Sequence, residues 1–266
     1  MRFIGLLTLS ACIVLTGAAA AQGPRPNERE VITTPAKSDK SDVYTLDFRF
    51  KDPRIMKVNI PGRGTRIIWY MWYQVINRSE KPVRFNPIFE LVTHENPAVF
   101  VDESGLATAE EAIRKLEDPH GYLDIKNSHD ISLNLIPVSK SAEEAFPRAI
   151  TGVAIWDASP ADLKNRDPNK RDLSDSTQFS IFVRGLSNGS VIVDPPAPGL
   201  PPLTREKTLQ LKFRRTGDKY STDSRDMVFL PPAEWTYRPS SRILIRPESK
   251  DGKNAPDAAP KVESDK

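Results

Sequence analysis

The stretch Ile67-Ile68-Trp69-Tyr70-Met71-Trp72-Tyr73-Gln74-Val75-Ile76 decides the fold class of this chain. Its β-branched and aromatic residues favour an extended backbone, and it is apolar on both alternating faces. A strand of that kind belongs in the middle of a sheet that is covered on both sides. Side chains alternate along a strand, so Trp69, Met71 and Tyr73 point one way and Tyr70 and Trp72 the other. One set is expected to fill the core between two sheets. The other needs an insertion to cover it.

Strand patterns extend outward from this segment. Tyr44 to Phe50 alternates apolar and polar residues with period two, the mark of a strand buried on one face. Met56, Val58 and Ile60 repeat the alternation before the turn Pro61-Gly62-Arg63-Gly64. After the polar turn at 77–82, Val83-Arg84-Phe85 and Phe89-Glu90-Leu91-Val92 resume it. Further strands are expected at Ile131–Leu135, Ile150–Trp156, Phe179–Arg184, Val191–Val193, Leu209–Phe213 and Ile243–Ile245. The 24 prolines among 266 residues exceed the usual ~5% and exclude long helices over most of the chain.

One helix is specified. Thr108 and Glu111 have the spacing of a capping box, and Ala109, Ala112, Ile113 and Leu116 share one face. Arg114-Lys115 near its end suit the macrodipole, and Pro119 stops it. The expected architecture is all-β: an elaborated, immunoglobulin-like antiparallel β-sandwich with one short helical insertion. Residues 43–246 would form it as one domain, large for a fold of ~100 residues, with 104–128 and 157–177 as insertions. The run from Pro195 to Pro202 is followed by too few strands to start a second domain.

The segments flanking this domain differ in character. Met1-Arg2, the apolar run Phe3–Gly17 and Ala18-Ala19-Ala20-Ala21-Gln22 read as a cleaved export signal over residues 1–21. Cys12, the only cysteine, follows Leu9-Ser10-Ala11, a lipobox-like setting, but more apolar residues follow it instead of a polar tether. Cleavage near Ala21 is therefore expected, giving a secreted or periplasmic chain with no stable transmembrane segment, no disulfide and no thiol nucleophile. Residues 22–42 and 247–266 are rich in Pro, Lys, Asp, Ser and Glu and are expected to be a disordered linker and a disordered tail. The 38 Lys+Arg nearly balance 35 Asp+Glu. Without a basic stripe, nucleic-acid binding is not expected.

Two groups of residues carry a resemblance. Tyr73-Gln74-Val75-Ile76-Asn77-Arg78-Ser79 with Val83-Arg84-Phe85-Asn86-Pro87-Ile88-Phe89-Glu90-Leu91 form the first, and Gly152–Asp157 with Phe179–Val183 the second. Together they resemble bacterial extracytoplasmic immunoglobulin-like domains of unassigned function. The resemblance implies that the Asn-x-Ser turn and the Phe-x-Pro corner serve the fold, and it carries over no catalytic residue.

The candidate chemical motifs favour structural readings. Gly185-Leu186-Ser187-Asn188-Gly189 fits G-x-S-x-G, but β-branched residues and Pro195 follow instead of a helix. A hairpin turn at Asn188-Gly189, with Ser187 structural, is expected. Asp157, Asp162, Asp167, Asp172 and Asp175 suggest a calcium loop, yet Arg171 and Asp172 stand where a ligand and a glycine are needed. His94, His120 and His129 have no metal-ligand spacing. Asn77-Arg78-Ser79 and Asn188-Gly189-Ser190 are sequons. The aromatic set Trp69, Tyr70, Trp72, Tyr73, Trp156, Trp235 and Tyr237 is the best lead for a sugar-stacking surface; within it Trp69 to Tyr73 read as core, whereas Trp235 and Tyr237 have polar neighbours and are less clearly buried. No catalytic, cofactor or metal residue is assigned. The expected function is a non-catalytic binding or scaffold module for an unidentified protein or glycan partner, with a carbohydrate-binding module or weak glycan-active hydrolase as the alternative.

Overall fold

The computed structural model describes residues 27–32, 43–140, 148–159, 173–194, 202–218, 221 and 223–239. In chain order the strands are β1 (Glu28–Val31), β2 (Asp47–Lys51), β3 (Arg54–Ile60), β4 (Gly64–Ile76), β5 (Val83–Arg84), β6 (Ile88–Thr93) and β7 (Val99–Val101). After α1 (Ala107–Glu117) and α2 (Ser128–Ser132) come β8 (Leu135–Ile136), β9 (Ile150–Asp157), β10 (Gln178–Arg184), β11 (Ser190–Val193), β12 (Leu203–Arg215) and β13 (Met227–Pro239). The expected strand at Ile243–Ile245, the signal at 1–21 and the tail at 247–266 lie outside the described residues.

These elements form an all-β sandwich with antiparallel pairing throughout both large sheets. Sheet one is built around β4. β9 pairs with Ile68–Val75 of β4, while β2 and β3 pair with successive halves of its length. In sheet two β13 lines one side of β12; β11 and β10 pair with successive parts of its other side, and β6 and β7 follow β10. Trp69, Met71, Tyr73 and Val75 meet Phe89, Leu91, Phe179, Ile181, Leu209, Leu211 and Phe213 of sheet two in one core. The opposite face of β4, with Ile68, Tyr70 and Trp72, packs with Val153 and Ile155 against Leu106, Ala109 and Ile113 of the α1 region. Both rows therefore lie as the alternation requires, and the helix covers the outer one.

The helix is fastened at its far end by charge. Glu117 is almost fully buried and pairs with Lys51 at 2.8 Å and Arg54 at 2.8 Å. It also accepts a hydrogen bond from the Tyr70 hydroxyl at 2.8 Å. Burial, then the Glu117 charge, pushes the Tyr70 phenol far above its ordinary range. A carboxylate at a helix C-terminus opposes the macrodipole, and the two cations offset that.

Several expectations need correction. Ile131–Leu135 is not a strand: Asn127 caps α2 by accepting the Asp130 amide at 2.8 Å, and only Leu135–Ile136 is extended. The insertion thus holds two helices, not one. The Thr108–Glu111 capping box does not form, because α1 begins at Ala107 behind Leu106 without a side-chain cap. Instead Glu110, one position earlier, accepts the Gly105 amide at 3.0 Å. Leu116 is 55% exposed and does not join the buried face. Within the segment expected to be a disordered linker, β1 pairs with β2, and Arg29 bonds Asp52 through two donors at 2.7 and 2.9 Å. Strands β7 and β13 were not expected. In β13, Pro231 and Pro232 sit where its register against β12 shifts, on an edge that tolerates missing donors.

Candidate functional site

Two clefts of the described residues adjoin the chain between β5 and β6. Phe85 and Pro87 are buried while Asn86 and Ile88 face outward, so the chain from β5 to β6 makes a ridge. A cleft lies on each side of it, one of about 410 Å³ and one of about 450 Å³, and both are lined by Asn86 and Ile88. The ridge is seated by Gly185, whose φ is +88°. A Cβ at that position would stand 2.3 Å from the Asn86 carbonyl oxygen, so only glycine fits.

The first cleft is built around Asp102, with Ser104, Ser128 and His129 among its walls. Asp102 is largely buried between β7 and α1. One carboxylate oxygen accepts the Ile155 amide at 2.7 Å and the other accepts the Ser128 hydroxyl. Burial pushes the Asp102 pKa up to about 6; these two hydrogen bonds oppose the shift and the nearby Glu110 and Glu103 charges add to it. The Tyr73 phenol lies close by, fully buried and without a hydrogen-bond partner of good geometry. Burial, then the Asp102 charge, holds its pKa well above the ordinary value. Gly152 makes room for that ring, since a Cβ there would meet Tyr73 Cζ at 2.4 Å.

The second cleft contains the G-x-S-x-G segment, and here the hairpin expectation is corrected. β10 pairs with Leu209–Arg214 of β12 and β11 with Leu203–Glu206, while β13 occupies the other side of β12. β10 and β11 therefore run one after the other along the same side of β12, and 185–189 is a wide bulge between them. Positive φ falls at Gly185, not at Asn188 or Gly189. Ser187 Oγ donates to the Tyr44 carbonyl at 2.8 Å and accepts from Thr45 Oγ1 at 3.1 Å and the Gly189 amide at 3.1 Å. These bonds stitch the bulge to the chain entering β2. Asn188 Oδ1 takes the Tyr44 amide at 2.8 Å. A strand follows the serine, so the helix N-terminus that an elbow uses is not there.

The other sequence candidates are scattered. His94 Nε2 lies 2.9 Å from Ser180 Oγ, His120 packs on Tyr122, and His129 lines the first cleft. Among the described residues no group of three or more His, Cys, Asp or Glu side chains could hold a metal ion. Asp157 pairs with Arg66 at 2.7 Å, and Asp162, Asp167 and Asp172 lie outside the described residues. Asn77 is fully buried and bonds the Lys81 and Ile136 carbonyls and Ser79, so its sequon serves the turn. Trp69, Tyr70, Trp72, Tyr73 and Trp156 are all core. Trp235 is partly buried against that core with Lys207 Nζ 5.5 Å from its ring centre, and Tyr237 is partly buried on the same face of β13.

Asp102, Ser128, Arg84 and Arg184 were not singled out from sequence. Asp102-Glu103-Ser104-Gly105 reads as an ordinary polar loop. Arg184 alone left a signal: a charge closing the apolar strand Phe179–Val183 beside a glycine. No family model, no curated protein and no solved structure matches this chain.

Proposed function

We propose that this chain is an exported, non-catalytic β-sandwich, of the immunoglobulin-like kind its sequence resembles, that acts as a binding module at the cell surface or in the periplasm. One observation carries the reading: the large rings of β4 and β9 fill the cores, while exposed and half-exposed polar groups converge on the two clefts beside Asn86–Ile88. Concave surfaces with a few convergent polar groups are where small ligands and chain segments bind. The partner is a glycan or a protein of the envelope. The test is a glycan array together with capture from native envelope, using the full chain and variants that fill each cleft from an exposed position, Ser190→Trp and His129→Trp. Capture lost in one of these variants supports the reading. Capture that survives in both places the binding surface elsewhere.

A second reading, a glycan-active hydrolase, is favoured by Asp102 alone: a cleft carboxyl with a pKa of about 6 beside a serine has the proton affinity of a general acid or base. Release of chromophore from aryl glycosides by the wild type, abolished in Asp102→Asn, would establish it.

A further inference from the structure

Arg184 ends β10 and lines the second cleft, with only 6% of its side chain exposed. Its guanidinium faces Glu90 and Glu206 at 3.6 Å each, beyond hydrogen-bond length. Its Nε is buried without a hydrogen-bond partner. A buried guanidinium N–H left without a hydrogen bond is costly, and an acceptor that fits the fork better than these long ion pairs would relieve it. The two flanking acids are not equivalent. Glu90 is 1% exposed and also held by Arg238 at 3.4 Å, whose guanidinium lies 3.5 Å over the Phe182 ring. Glu206 is 52% exposed and can leave to solvent. The NH1 edge of Arg184 is thus the side open to exchange.

The rest of the cleft is polar. Arg84 adds a second cation, and Ser190, Thr204 and Asn86 supply hydroxyl and amide groups. We propose that this cleft binds a small hydroxylated carboxylate of sugar-acid size, its carboxylate received by Arg184 in place of Glu206 and its hydroxyls by the polar walls. A planar carboxylate matches the guanidinium fork in a way a neutral hydroxyl does not. This inference rests on the reading of the clefts as the binding surface and names the chemistry of one of them.

The test is calorimetric titration of the full-length protein with glucuronate and with glucose as the neutral counterpart. Glucuronate is expected to bind about tenfold more tightly than glucose, the effect of one charge-assisted pair. Glu206→Gln removes the competing carboxylate and should tighten glucuronate binding, an effect a merely structural Arg184 would not produce. Arg184→Lys should weaken it, and Ser190→Trp should abolish it. If Arg184→Lys fails to fold, the Glu206 and Ser190 variants decide. Equal binding of both sugars, lost in Ser190→Trp, overturns the carboxylate assignment and leaves the cleft as a binding site. Glucuronate binding unchanged in Glu206→Gln and Ser190→Trp overturns both.

Discussion

Among single residues, Asp102 combines the largest consequence with the least sequence signal. Its folded pKa of about 6 stands above the ordinary 3.8, so the folded state holds a proton that the unfolded chain releases between those values. The stability this contributes is fully present below about pH 4 and is lost as pH rises through 6. Asp102→Asn cannot titrate. The melting temperature of the wild type should therefore fall relative to that of the variant as pH rises from 4 to 7. A gap of about two pKa units corresponds to at most ~3 kcal/mol in favour of the variant at neutral pH. Parallel melting profiles for the two proteins would show that Asp102 does not hold its proton. Nothing in the local sequence announces this, because the burial that raises the pKa is made by tertiary packing, and even the hydrogen bonds that oppose the shift come from Ile155 and Ser128, remote in the chain.

At the scale of elements, β4 and α1 form one layered unit. Trp72 is 3% exposed under the helix, and Lys51 Nζ stands 4.5 Å from its ring centre. Replacing it with alanine empties a site between two rigid elements that cannot collapse around it. Trp72→Ala should cost about 3–5 kcal/mol, much of the stability of an ordinary domain. Leu116→Ala, on the exposed face of the same helix, should change the urea midpoint little. If Trp72→Ala kept full stability and lost binding to a partner, the layer would be a recognition surface instead. The double-sided character of β4 was legible because both faces of its sequence are apolar. The extent of α1's buried face was not, because Leu116 satisfies helical spacing yet stays exposed, outside the layer that Ala109 and Ile113 join. β13 is hidden in the sequence for a related reason: Pro231-Pro232 reads as a strand breaker, and only its place on a sheet edge at a register shift makes it tolerable.

At the scale of the whole molecule, the sandwich begins earlier than composition suggests. With cleavage after Ala21, only residues 22–27 would precede β1, whose Arg29 reaches Asp52 and lies over the Phe229 ring. Mass spectrometry of the exported protein should find Gln22, or a near neighbour, as the first residue. A lipid-modified Cys12 would show a membrane-anchored chain in place of a released one.

The fold class, the need to cover both faces of β4 and the turn at Pro61–Gly64 are legible in the sequence, because they depend on local alternation and turn chemistry. The rings from Trp69 to Tyr73 are legible as core in the same way, since an unbroken apolar strand offers them nowhere else to go; the burial of Trp156 is not. Only the tertiary structure decided that Gly185–Gly189 is a bulge and not a hairpin, because strand partners are chosen by β12, far along the chain. It alone brought Asn86 against Gly185, Ser128 against Asp102, and Glu90 and Glu206 against Arg184. Those contacts join residues tens of positions apart, and the clefts exist only where they meet. Periodicity reports which way a side chain faces; it carries no information on which distant group will stand opposite.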